Sequence, residues 1–167
     1  MRSASAKQHF LGNSLGSQVI VDLTIRYPRY VQVAILVGPT VDRMGRTMLR
    51  QLWRAFLDLW HEPLSLWPIL VRNYWAVGIK RLFQTFRLAL SDPVLAKYSQ
   101  MHVPTLIVRG GRDPIAPQRW VEEVAKLLPC GHLTVIPHAS HATNYSAPSE
   151  LAAIASAFLS HHCRASH

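Results

Sequence analysis

The chain has 167 residues, 49% of them hydrophobic and 16% charged, which suits the buried core of one domain. No run approaches the ~18–20 consecutive apolar residues that cross a membrane, and no apolar segment follows the polar, basic start, so neither a membrane span nor a signal peptide is expected. The net charge of +9 comes with no nucleic-acid-binding motif, and no nucleic-acid partner is expected. Cys130 and Cys163 have no metal-type spacing and read as a reduced thiol pair in a cytoplasmic protein.

In chain order, 8–11 reads as the end of a strand that runs into Gly12-Asn13-Ser14-Leu15-Gly16. This is a Gly-x-Ser-x-Gly elbow, a sharp strand-to-helix turn that exposes a serine hydroxyl. Gly12 and Gly16 are expected there because side chains beside so tight a turn would collide with helix and strand. A helix follows over 15–27, stopped by Pro28, and then a strand over 31–37, a β-branched apolar run ended by Gly38-Pro39.

From 41 to about 90 the periodicity turns helical, with breaks expected near Pro63, Pro68 and Gly78, and with Trp53, Trp60, Trp67 and Trp75. Arg43, Arg46, Arg50 and Arg54 fall on one helical face and Leu49, Leu52, Trp53, Phe56 and Trp60 on the other, which predicts a solvated basic face and a packed apolar one. Strand signals resume over 105–109 and lead into Gly110-Gly111-Arg112-Asp113-Pro114. A helix over 118–128, a strand over 133–136, a loop with His138 and His141, a helix over 148–160 and a frayed tail complete the chain. Such alternation predicts an α/β fold, a parallel sheet flanked by helices. The core covers 1–41 and 101–167, and 42–100 forms a helical lid insertion.

Ser14, Asp113 and His141 each follow a predicted strand, at the sheet end where α/β folds place their sites. Serine becomes a nucleophile when a histidine takes its proton and a carboxylate orients that histidine. Ser14 could instead cap the following helix, Asp113 could serve only an Asx turn, and Asp42 is a rival acid. His141 is preferred to His138 because small residues flank it on both sides. Cys130, His132, His138 and His141 match no familiar zinc spacing, so no metal and no cofactor are expected.

With 11–16, 36–42, 103–114 and 136–141 in hand, the chain resembles the small esterase-like serine hydrolases of the α/β-hydrolase fold, from the nucleophile elbow onward. The resemblance implies Ser14 as nucleophile, Asp113 as acid, His141 as base, the Leu15 backbone N–H as one oxyanion donor, and 42–100 as a lid. It implies a small acyl substrate, to which the tryptophans of the expected lid add an apolar part, and serine at the elbow separates the chain from relatives that use aspartate there. Perhydrolases and carbon–carbon bond hydrolases share the same triad. The family's N-terminal strands and its second oxyanion donor precede the elbow, so the resemblance also implies a truncated fold with weak turnover. The alternative is an inactive fragment kept as a binding or assembly partner, with an edge-strand dimer as one outcome.

Overall fold

The computed structural model describes residues 7–42, 45 and 47–164, the side chains of 163 and 164 excepted. Four strands form one parallel sheet in the order β1 (Gln8–Asn13), β2 (Val31–Val37), β3 (Thr105–Gly110) and β4 (Gly131–Ile136). Each strand therefore lies beside its sequence neighbour, and all four C-terminal ends point the same way. The register pairs Leu11 with Ile35, Val37 with Val108 and Val108 with Thr134.

Strand β2 is buried at every position except Gln32, and its alternating side chains feed two separate cores. Ala34 and Leu36 pack with Ile107, Trp120 and Tyr98, whereas Val33, Ile35 and Val37 pack with Val108, Ile136 and Leu151. Helices α1 (Leu15–Arg26), α5 (Val94–Tyr98) and α6 (Gln118–Leu127) cover the first face. The long helix α8 (Pro148–Arg164) covers the second, beyond the single turn α7 (Thr143–Ser146). Burial on both faces is why β2 reads as a continuous apolar run rather than an alternating one.

Between β2 and β3 lie α2 (Met48–Leu59), α3 (Trp67–Val77) and α4 (Ile79–Ser91). Gly78, at φ 79°, separates α3 from α4. The expected breaks near Pro63, Pro68 and Gly78 fall where α2, α3 and α4 are separated; Pro68 itself sits in the first turn of α3, where its missing N–H costs nothing.

Helix α2 does not bury its apolar face as expected. Its Gln51 and Asp58 are buried, and Arg54 turns inward to Asp42, while Leu49 is 81% and Trp60 75% exposed. The buried acid Asp42 supplies the reason. It sits just ahead of α2, is fully buried, and binds both Arg54 (2.7 Å) and Arg119 of α6. An unpaired buried carboxylate is costly enough to draw Arg54 inward. Arg43 and Arg46 lie outside the described residues, and Arg50 is exposed.

Three other boundaries differ. β4 begins at Gly131 rather than 133, because the polar His132 hides its start from an apolar-run reading. Helix α5 was not anticipated; it is one turn long and is held by the buried pair Val94 and Tyr98. Helix α8 continues through 161–164, expected as tail, where His161 and His162 stack near Phe158 and His132. Cys130 is free and exposed, and the Cys163 side chain is outside the described residues. Among the described residues no helix is long and apolar enough to cross a membrane.

Candidate active site

Ser14 follows β1 directly and stands at φ 55°, ψ −119°. A non-glycine residue there is strained, and the surroundings hold it in place. The Ser14 N–H donates to the Val37 carbonyl at 2.8 Å, continuing the sheet ladder, while its carbonyl already accepts from Ser17 N–H (3.0 Å) inside α1. The chain thus turns from strand to helix within one residue. The Ser14 side chain makes no capping hydrogen bond, so its hydroxyl is not spent on the helix. Ser17 braces the turn instead, donating from its buried hydroxyl to the Gly12 carbonyl at 2.9 Å.

The two elbow glycines differ. A Cβ on Gly12 would stand 2.6 Å from the backbone carbonyl group of Gly16, whereas one on Gly16 would meet nothing within 4 Å. Only Gly12 carries the steric requirement expected of both. The Gly16 backbone is the surface that Gly12 must clear.

Asp113 lies in the turn after β3, fully withdrawn from water with its side chain at 0% exposure. Its two oxygens divide the work. Oδ1 accepts from the N–H groups of Ile115 and Ala116 (2.7 and 2.9 Å), and Oδ2 meets His141 Nδ1 at 2.8 Å. The Asx-turn role and the histidine contact therefore coexist on one carboxylate. Asp42, the rival acid, is committed to its arginines. His138 is half-exposed and pairs with Glu150 (3.2 Å), away from Asp113.

Burial pulls the His141 ring towards its neutral form. The Asp113 hydrogen bond and charge outweigh this, aided by Asp58 and Glu62, and the ring's pKa lies above the ordinary histidine value. With Nδ1 facing Asp113, Nε2 is the nitrogen left for a substrate or nucleophile. Ser14 and His141 both line one cavity of about 550 Å³, together with Leu15 and a mainly apolar wall that includes Leu66, Leu70 and Phe86. Among the described residues no hydrogen bond joins the Ser14 hydroxyl to the His141 ring. Such bonds often tighten only with substrate bound. The Leu15 N–H opens α1 and so has no intrahelical partner, which leaves it available to an anion.

A sequence profile of the alpha/beta hydrolase family matches residues 3–154. The chain belongs to the α/β-hydrolase family. Among curated proteins no sequence matches it. Similar solved structures include a hydrolase from Pseudomonas aeruginosa PA01 (TM-score 0.71, 20% identity, covering 92% of this chain and 64% of that one). A serine hydrolase involved in carbazole degradation (CarC) gives TM-score 0.70 at 19% identity, covering 96% and 66%. The meta-cleavage product hydrolase CumD from Pseudomonas fluorescens IP01, in a mutant form complexed with acetates, gives 0.66 at 18%, covering 93% and 65%. The chain spans just under two thirds of each of these structures. At these identities the likeness is one of fold.

Several residues that shape this candidate site escaped sequence reasoning. Gly38, at φ 49°, lies under the His–Asp pair, and a Cβ there would come within 3.0 Å of His141 Nδ1 and 3.1 Å of Asp113 Oδ2. Arg109, buried at the end of β3, donates to the carbonyls of Ala116 (2.7 Å), Asp113 (2.9 Å) and Gly111 (3.2 Å), fastening the acid turn. Its burial lowers the guanidinium pKa, with the Asp113 charge opposing. The Gly38-Pro39 break and the strand-end arginine were visible in the sequence; what they touch was not. Among the described residues no group of three or more His, Cys, Asp or Glu is placed to hold a metal ion.

Proposed function

We propose that the chain carries the chemistry of a serine hydrolase acting on an ester-like or other small acyl substrate, with Ser14 as nucleophile, His141 as base and Asp113 as the orienting acid. One observation carries the reading. A strained, uncapped serine and a histidine held by a buried carboxylate line the same cavity.

In the proposed reaction the Ser14 oxygen bonds to the acyl carbon as its proton passes to His141 Nε2. Asp113 holds Nδ1 and stabilises the imidazolium. Leu15 N–H faces the developing oxyanion. Nε2 then returns the proton to the departing alcohol or thiol, and a water activated by the same nitrogen releases the acid. The insertion of α2 to α4 acts as the lid, and its apolar lining of the cavity favours an acyl part of similar character. No cofactor takes part in this scheme.

A fluorophosphonate tests the reading because serine displaces fluoride and becomes phosphonylated without needing a good substrate. Peptide mapping is expected to place the adduct on Ser14. Ser14→Ala should lose it, and His141→Ala should slow it by at least ~10³-fold, the scale of losing a triad base. Labelling at another serine, or equal labelling of Ser14→Ala, would sink the proposal.

A second reading, a chain kept as an assembly partner, draws on the outer side of β1. No described strand pairs with it, and Leu11 there is half-exposed.

A further inference from the structure

Two buried carboxylates that the proposed triad leaves unused stand against the loop that carries its base. Asp58 lies in the last turn of α2. Glu62 follows one turn later and donates its N–H to the Asp58 carbonyl at 3.0 Å, so the two side chains share a face. Both residues are only 7% exposed and line the cavity with Ser14 and His141. Carboxylates this dry require partners, and three consecutive loop residues supply them. The Ser140 hydroxyl donates to Glu62 Oε2 at 2.8 Å, and the Ala142 N–H to Glu62 Oε1 at 2.7 Å. Between them the His141 N–H points at Asp58 Oδ1 over a longer 3.4 Å. The seam continues where Tyr145 donates its hydroxyl to Ser65 Oγ at 2.9 Å.

The His141 ring itself has one anchor, the Asp113 contact at Nδ1. A ring held by one hydrogen bond takes its place from the loop that carries it. Glu62 accepts from the Ser140 hydroxyl on one side of the histidine and from the Ala142 N–H on the other, and so holds that loop. We infer that Glu62, assisted by Asp58, is a positioning residue for His141, so that the helical insertion rather than the sheet alone decides where the base stands. This rests on the Ser14–His141–Asp113 reading. The groups that face the histidine are Asp113 from the β3 turn and Asp58 and Glu62 from the insertion, with Tyr74 of α3 beside the last two. A base tied in this way feels any movement of the insertion, as when a substrate enters beneath it.

The test uses the full chain and Glu62→Ala, Glu62→Gln and Asp58→Asn. Fluorophosphonate labelling over a concentration series separates the maximal rate from the half-saturating concentration, and nuclear magnetic resonance follows the His141 ring through its titration. Glu62→Ala is expected to cut the maximal rate on the order of 10-fold, as for a base displaced by a fraction of an ångström, with half-saturation unchanged. Glu62→Gln keeps an oxygen for the Ala142 N–H and should recover most of that rate. Both Glu62→Gln and Asp58→Asn should lower the His141 titration midpoint. A wild-type maximal labelling rate in Glu62→Ala would overturn the inference. If wild-type Ser14 fails to label, the hydrolase reading falls, and the amide shifts of 140–142 in Glu62→Ala decide the positioning role by themselves, unmoved shifts overturning it. If Glu62→Ala does not fold, Ser140→Ala, which removes the hydroxyl tie to Glu62, decides it: an unchanged maximal rate would overturn the inference.

Discussion

Gly12 and Gly16 look equivalent in the pentapeptide and are not. The backbone of Gly16 leaves no room for a Cβ on Gly12, and backbone cannot rotate aside. Gly12→Ala should therefore destabilise the chain by about 1–3 kcal/mol, the usual cost of overpacking. Gly16→Ala sits in a helix with open space around it and should stabilise by about 0.5–1 kcal/mol. Urea unfolding of the two variants checks both signs. Asp58 provides a pH-dependent counterpart. Burial pushes its carboxyl from 3.8 up to about 7; the His141 charge opposes the rise, and Glu62 and Asp113 add to it. The folded chain thus holds a proton that the unfolded chain releases, and that stabilisation is complete below the unfolded value and lost as pH rises through about 7. Asp58→Asn removes the titration. Its melting temperature should match wild type near about pH 4 and exceed it by about pH 8, with a ceiling of about 4 kcal/mol for a shift of this size.

Helix α2 shows how one buried charge can outweigh an amphipathic pattern. Its sequence separates arginines from large apolar residues cleanly, and a pattern reading places the apolar stripe inside. The structure turns Gln51, Arg54 and Asp58 inward because each has a buried polar partner: the Gly45 carbonyl, Asp42 and the His141 loop. Asp42 is the hub, joining α2 to α6 through Arg54 and Arg119. Asp42→Asn should cost about 3 kcal/mol, the lower end for breaking a buried ion pair, since Arg54 and Arg119 keep some contact with water. Hydrogen exchange is expected to quicken in 48–59 while β2 stays protected. Uniform loss of protection across both elements would show that Asp42 supports the whole fold rather than the seating of α2.

At the scale of the molecule, among the described residues the sheet has two edges, and β1 forms one of them. Leu11 shares a sheet face with Ile35. The core of α8 on that face begins with β2 residues, so Leu11 is left half-exposed. A strand edge with an apolar side chain invites pairing with another copy, and lysine at such a position discourages it. Light scattering on a concentration series should show self-association of the chain, reduced in Leu11→Lys. A monomer at every concentration in both proteins would remove the edge-pairing idea.

Periodicity and punctuation were enough to determine the strand–helix alternation and the parallel sheet, and to place Ser14, Asp113 and His141 each beyond the end of a strand. These features are local or follow from chain order, and parallel strands necessarily bring their C-terminal ends together. Which histidine meets which acid is a different kind of fact. His141 and Asp113 are 28 residues apart, and a His–Asp contact has no period to betray it. The same holds for Gly38 beneath the pair, for Arg109 around the acid turn, and for Asp58 and Glu62 gripping a loop some 80 positions away. The orientation of α2 was decided in three dimensions too. Amphipathicity tells a helix it has two faces, but only the groups waiting in the core, here a buried carboxylate and a loop in need of acceptors, choose which face turns in.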